Sequence, residues 1–175
     1  MSDNQDLSFI RPQNRELLEN ILHYVYDHAY EDNKVDWDKI CRDYNITYYE
    51  TNKVIIPICV GFSDDHFEIY NYPFISRRLR EWVKAHEIGH VLMPESIIGD
   101  DPEPEVNFFA DTITGYMMKW SRMVGAGINI CSMRPIYATY WIRKMKQDGD
   151  EEPNTEEYIT MLRKESKNLR PIHTP

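Results

Sequence analysis

The sequence predicts an α+β domain, mostly helical, with a small antiparallel β-hairpin packed beside one central helix. Three observations carry that expectation. Apolar residues recur at helical spacing in several stretches, and two neighbouring runs are rich in β-formers with a short turn signal between them. The 175 residues also suffice for one compact core and are too few for two comfortable ones. Hydrophobic residues make up 42% of the chain and aromatic residues 13%, enough to build that core.

Residues 1–13 are polar and are expected to form a flexible N-terminal tail. From Asn14 to Tyr30, Leu17, Leu18, Ile21, Val25 and Ala29 repeat along one helical face. In "VDWDKICRDYN", Asp36 suits an N-cap, Trp37, Ile40, Cys41 and Tyr44 share a face, and Asn45 suits the C-terminal cap. The runs "KVIIPICVGF" and "HFEIYNY", divided by "SDD", read as a hairpin. Pro57 has no N–H to give to a ladder, so the first run belongs at an edge or carries a bulge. Ser76 and Pro94 bound a helix over "SRRLREWVKAHEIGHVLMP". "ESIIGDDPEP" reads as a loop. Asp101 and Pro102 then open a helix expected to run through "EVNFFADTITGYMMKWSRMV" to Gly125 and Gly127. Two more helices are expected in "RPIYATYWIRKMKQ" and, after "DGDEEPN", in "TEEYITMLRKESKNL".

Charge and cysteine usage narrow the function. A formal net charge of -9 repels phosphate backbones, so direct nucleic-acid binding is not expected. Cys41, Cys59 and Cys131 are odd in number, far apart and form no CxxC pair, which suits buried small hydrophobes in a reducing compartment. The start lacks a basic n-region and an apolar h-region, and the most apolar run, "VIIPICVGF", is too short to span a bilayer. The expectation is a cytoplasmic protein with no membrane partner.

The chemistry concentrates in "HEIGH". His86 and His90 lie four apart on the expected helix, so their Cβ atoms stand roughly 5–6 Å apart on one face. Two imidazoles so placed can both reach one zinc ion at about 2.0–2.1 Å. Glu87 lies about 100° round the helix, beside an open coordination position. From there a carboxylate can take a proton from water whose pKa zinc lowers to around 7, and can pass it to a leaving amine. The alternative is two ordinary buried or half-buried helix histidines. A third ligand must come from elsewhere, because Met93 and Ser96 occupy the positions of the long form of the motif. Downstream, "EPEVNFFAD" offers Glu103 and Glu105. Glu103 ranks first because Asn107, one turn on, can hydrogen-bond a ligating imidazole. Against both stands the ordinary enrichment of acids in the first turn of any helix.

"HEIGH" followed by "EPEVNFFAD" resembles the ImmA/IrrE-type metallopeptidases, whose pattern is HExxH and then ExE-Ala-Asn-x-Phe-Ala. "FEIYNYPFISRRLREWVKAHEIGH" also resembles the family's strand leading into its active-site helix, and the likeness covers about residues 35 to 120. Val106 stands where the family has alanine, Pro104 sits between the acids, and "GYMMKW" replaces the usual Leu-Met-Pro end. The resemblance implies a zincin-like fold and a zinc-dependent endopeptidase with one Zn2+ per chain. It implies His86, His90 and Glu103 as ligands, Glu87 as general base and acid, and a helix-turn-helix repressor of a phage or mobile element as protein substrate. The implied organisation is a tail at 1–13, a metallopeptidase-like domain at 14–150 and a C-terminal helix and tail at 151–175. If "HFEIYNY" forms a free edge beside the site, it can hold a substrate by strand addition. Two alternatives are a regulatory protein that keeps the fold and works by binding, without proteolysis or only once a partner activates it, and a metal-free interaction domain.

Other candidates have simpler readings. His23, His28, His66 and His173 have no partner at ligand spacing. Tyr70, Tyr72 and Tyr116 can polarise a carbonyl, but in a chain with twelve tyrosines packing is the preferred reading. "RRLR" at 77–80 suits a solvated face, and Met117, Met118 and Met123 suit a core.

Overall fold

A computed structural model of the chain describes residues 10–32, 34–54, 58–63, 66–71, 73, 77–99, 102–115 and 155–175. Among them the protein is a mixed α/β domain with six α-helices and two small sheets. A 3-10 turn at Pro12–Asn14 leads into α1 (Arg15–His28), which buries Leu18, Ile21, Leu22 and Val25 at helical spacing. A two-stranded ribbon, β1 (Tyr30–Glu31) and β2 (Lys34–Val35), turns the chain into α2 (Trp37–Asp43). Asp36 caps α2 by accepting a hydrogen bond from the Lys39 amide, and Asn45 follows its end at φ 51°, as a polar C-terminal stop does.

The larger sheet has the order β3–β5–β4, formed by β3 (Ile46–Glu50), β4 (Ile58–Ser63) and β5 (His66–Asn71). β4 and β5 make the expected antiparallel hairpin, with β4 at the edge and a bulge between Gly61 and Ser63. Two expectations are corrected. "ITYYE" at 46–50 is a strand that pairs parallel to β5, Ile46 opposite Phe67 and Glu50 opposite Asn71, so the sheet is mixed and not a simple hairpin. β5 is therefore the central strand, and "HFEIYNY" offers no free edge. Alternation along these strands divides two cores. Ile46, Tyr48 and Ile69 join the main core, while Tyr49 and Tyr70 turn to the other face, where Val54 and Leu162 cover them.

The helix over "SRRLREWVKAHEIGHVL" is α3 (Arg77–Leu92), followed by the short α4 (Glu95–Ile98) and by α5 (Glu103–Thr114). α3 packs on β4, β5 and, most extensively, α5. At Gly89 a Cβ would stand 3.0 Å from Val106 Cγ1 and 3.3 Å from the Phe109 ring, so the absent side chain lets the two helices approach. α5 ends at Thr114, with Gly115 left-handed at φ 61°, and does not run on to Gly125 as one helix. The expected helix in "RPIYATYWIRKMKQ" and the Met117, Met118 and Met123 cluster lie outside the described residues.

Both ends of the described chain are fastened. Ile10, expected in the tail, is 1% exposed, and Arg11 pairs with Glu105. The C-terminal helix α6 (Thr155–Ser166) buries Leu162 beneath the sheet. Beyond it the chain returns to the outer edge of β3, where Ile172 donates its amide to the Tyr48 carbonyl at 2.8 Å and the Tyr48 amide donates to the His173 carbonyl at 2.9 Å. No helix among the described residues is long and apolar enough to cross a membrane.

Candidate metal centre

α3 presents His86 and His90 one turn apart. Their rings meet edge-on at 83° with centroids 4.8 Å apart, and the two Nε2 atoms are separated by 3.2 Å. The first turn of α5 brings Glu103 to the same point. Its Oε1 lies 3.5 Å from His90 Nε2 and its Oε2 lies 3.7 Å from His86 Nε2. One donor atom from each residue lies within 4.8 Å of the other two, so the group can hold a metal ion.

Two features of the donor set fit a divalent cation. Ligands bonded tetrahedrally at about 2.0–2.1 Å stand about 3.3–3.4 Å from one another, close to the separations across this triangle. Glu103 Oε2 is also buried with no hydrogen-bond partner among the described residues. A carboxylate oxygen left so is costly unless a positive charge answers it.

Neighbours on α3 and α5 fix the rings. His86 Nδ1 lies 3.1 Å from Asn107 Oδ1, an acceptor, so the imidazole N–H sits on Nδ1 and the lone pair on Nε2 faces Glu103 and His90. Trp82 stacks on His86 at 5.2 Å and 22°, and donates its Nε1–H to Asp111 Oδ1 at 2.7 Å. The ring is thus held on its face and at one edge.

The titrations follow from burial and mutual charge. Burial, helped by the positive form of His90, pushes His86 down to about 4, so it is a neutral, ligand-competent imidazole near pH 7. Burial also opposes charge on His90, but Glu103 and Glu87 beside it more than offset this and raise its pKa. At Glu103 burial favours the neutral acid, yet the two imidazoles outweigh it and hold the carboxyl below its ordinary value. Glu87 is buried, which raises its carboxyl to about 7, with His90 pulling it down and Glu103 pushing it up. A carboxylate that exchanges its proton near neutrality suits acid–base work.

Glu105, the second candidate for third ligand, goes elsewhere. Its carboxylate is fully buried and accepts hydrogen bonds from Arg11 Nε at 3.1 Å, Arg11 Nη2 at 3.2 Å and Asn14 Nδ2 at 2.8 Å. Burial raises its pKa, but these donors prevail and hold it low. His28 and His66 lie beside the Tyr24 carbonyl and Asn45 Oδ1, and His173 lies between Asp38 and Lys84. Tyr70 donates to Glu68 and packs with Leu162 on the far face of the sheet, while Tyr72 and Tyr116 lie outside the described residues. Arg77 and Arg78 are exposed, as a solvated face requires, and Arg80 lies 3.8 Å from Glu50.

Sequence reasoning missed Trp82 and Arg11 as parts of this framework, whereas Asp111 continues the expected helical face of Glu103 and Asn107. Trp82 is four residues before His86, and Asp111 is four after Asn107, so the helical period carried a signal for both. Arg11 is 94 residues from Glu105 and carried none. No protein-family model, curated protein or solved structure matches the chain.

Proposed function

We propose that this chain is a zinc-dependent endopeptidase whose substrate is a regulatory protein, such as a helix-turn-helix repressor. The observation that supports it is the triangle of His86 Nε2, His90 Nε2 and the Glu103 carboxylate, with the Glu87 carboxyl buried beside it. His86, His90 and Glu103 would hold the ion, and Asn107 keeps the His86 lone pair turned toward the place it would take. When bound there, zinc supplies Lewis acidity, which polarises a carbonyl and acidifies water. Glu87 receives the proton that the attacking water gives up and returns it to the departing amine. Its carboxyl, raised to about 7 by burial, is close enough to neutrality to do both.

A peptide substrate has an edge to join. β4 pairs with β5 on one side and with no strand on the other among the described residues. β4 packs on α3, the helix that carries Glu87. Strand addition along β4 would hold a substrate extended beside Glu87. The net charge of -9 favours a basic partner, which a DNA-binding repressor is.

The test has two parts. Metal analysis of purified protein should return about one zinc per chain, lost on His86→Ala or His90→Ala. Co-expression with a neighbouring repressor gene should yield cut repressor with the wild type and intact repressor with Glu87→Ala, which retains zinc. Zinc-loaded wild type that leaves the repressor intact, yet binds it, would favour a regulatory protein that works without proteolysis.

A further inference from the structure

We propose that the Arg11–Glu105 ion pair is a positioning clamp for the metal centre, by which the segment before α1 sets the place of the Glu103 ligand. The inference rests on the metal-site reading above and extends it to residues outside the triangle.

Glu105 is a carboxylate with no solvent exposure, in a helix turn where an apolar residue would pack at lower cost. Its charge is answered from a part of the chain far away in sequence: Arg11 reaches it with two nitrogens, and Asn14 with its amide. The same Asn14 amide nitrogen lies 3.0 Å from the Ile98 carbonyl. Ile98 and Gly99 belong to the connection between α3, which carries the imidazoles, and α5, which carries Glu103. At Gly99 the backbone bends at φ 96°, and Arg11 Nη1 lies 3.0 Å from where a Cβ would sit, so the guanidinium runs along this bend. Ile10, buried at the head of the segment, anchors it in the main core.

The clamp therefore grips the link between the two ligand-bearing helices at both its α4 end and its α5 end. Glu103 and Glu105 share the first turn of α5. A shift of that turn displaces the Glu103 oxygens from the 3.5 and 3.7 Å separations they hold to the imidazoles. Metal bonds tolerate deviations of only about 0.2 Å, so cation affinity should respond to movements too small to unfold the domain.

The experiment uses the full chain as wild type, Arg11→Ala, Arg11→Lys and Glu105→Gln. Each is titrated with zinc against a chromophoric chelator and with Co2+, whose visible bands report coordination geometry. Temperatures are chosen where circular dichroism shows every variant folded. Arg11→Ala is expected to weaken zinc binding by about tenfold to a hundredfold and to shift the Co2+ bands, with Arg11→Lys recovering part of the affinity. Glu105→Gln, which keeps an acceptor for Asn14 but loses the charge, should behave like Arg11→Ala and stands in for it should Arg11→Ala not fold. Variants that lose thermal stability yet bind zinc as the wild type does, with unchanged Co2+ bands, would show a mere structural anchor and overturn the clamp alone. A wild-type chain that takes up neither ion would overturn the metal site and, with it, the clamp.

Discussion

His86 Nδ1 and Asn107 Oδ1 stand 3.1 Å apart across the α3–α5 contact, so the residue that orients the first imidazole rides on the same helix as the Glu103 carboxylate. One helix thus supplies both an acid to the site and the hydrogen bond that aims a ring at it. Replacing Asn107 by Ala should leave the fold intact but weaken zinc binding by about tenfold to a hundredfold, read by competition with a chelator. Unchanged affinity would mean that Trp82 stacking alone fixes the ring.

Glu87 should give the metal-free protein a distinctive pH response. Its folded pKa of about 7 lies above the ordinary glutamate value of 4.5, so between those limits the folded state holds more protons than the unfolded state. Its contribution to stability is therefore most favourable at low pH and is lost as pH rises through about 7. His86 acts oppositely: its folded pKa of about 4 lies below 6.5, so its contribution improves as pH rises between those values. The difference between wild type and Glu87→Gln isolates the first effect. In chelator-treated protein the Gln variant should gain on wild type between pH 5 and pH 8, by up to about 3 kcal/mol at 1.36 kcal/mol per pKa unit. Urea denaturation at the two pH values measures it, and a constant difference would show that Glu87 is not buried as a charge.

Gly89→Ala tests the helix contact. A methyl group 3.0 Å from Val106 Cγ1 and 3.3 Å from the Phe109 ring must push α5 outward. Alanine gains up to about 1 kcal/mol in helix propensity, but overpacking at such a contact costs about 1–3 kcal/mol. A net loss of stability in chemical denaturation is expected, together with weaker zinc binding because α5 carries Glu103.

Removing residues 172–175 tests the C-terminal strap. The Tyr48 amide would lose its partner, the His173 carbonyl. Buried Lys84, whose Nζ lies 3.2 Å from His173 Nε2 and over the Tyr48 ring, would lose the imidazole and keep, among the described residues, Glu81 and that ring. A loss of about 1–3 kcal/mol is expected, with faster hydrogen exchange at the Tyr48 amide as its local signature. Protection of that amide at wild-type levels would sink the prediction.

Whatever repeats within a single helix was legible along the chain alone. His86 and His90 share a face because four residues span about one turn, and Pro94 stops that helix whatever surrounds it. Asp36, Asn45 and the edge position of β4 were legible for the same reason, since caps and proline act through their own backbone. Tertiary packing decided the rest. "ITYYE" has strand-forming residues, but its parallel partner lies about twenty residues on, beyond a β-strand, and no local pattern names it. Glu103 and Glu105 stand two apart on one helix and differ little in local chemistry. What separates them is that Gly89 lets α5 close on α3, which turns one acid to the imidazoles and leaves the other to Arg11. Periodicity is a property of the chain, whereas the meeting of two acids with their separate partners belongs to the contact between elements.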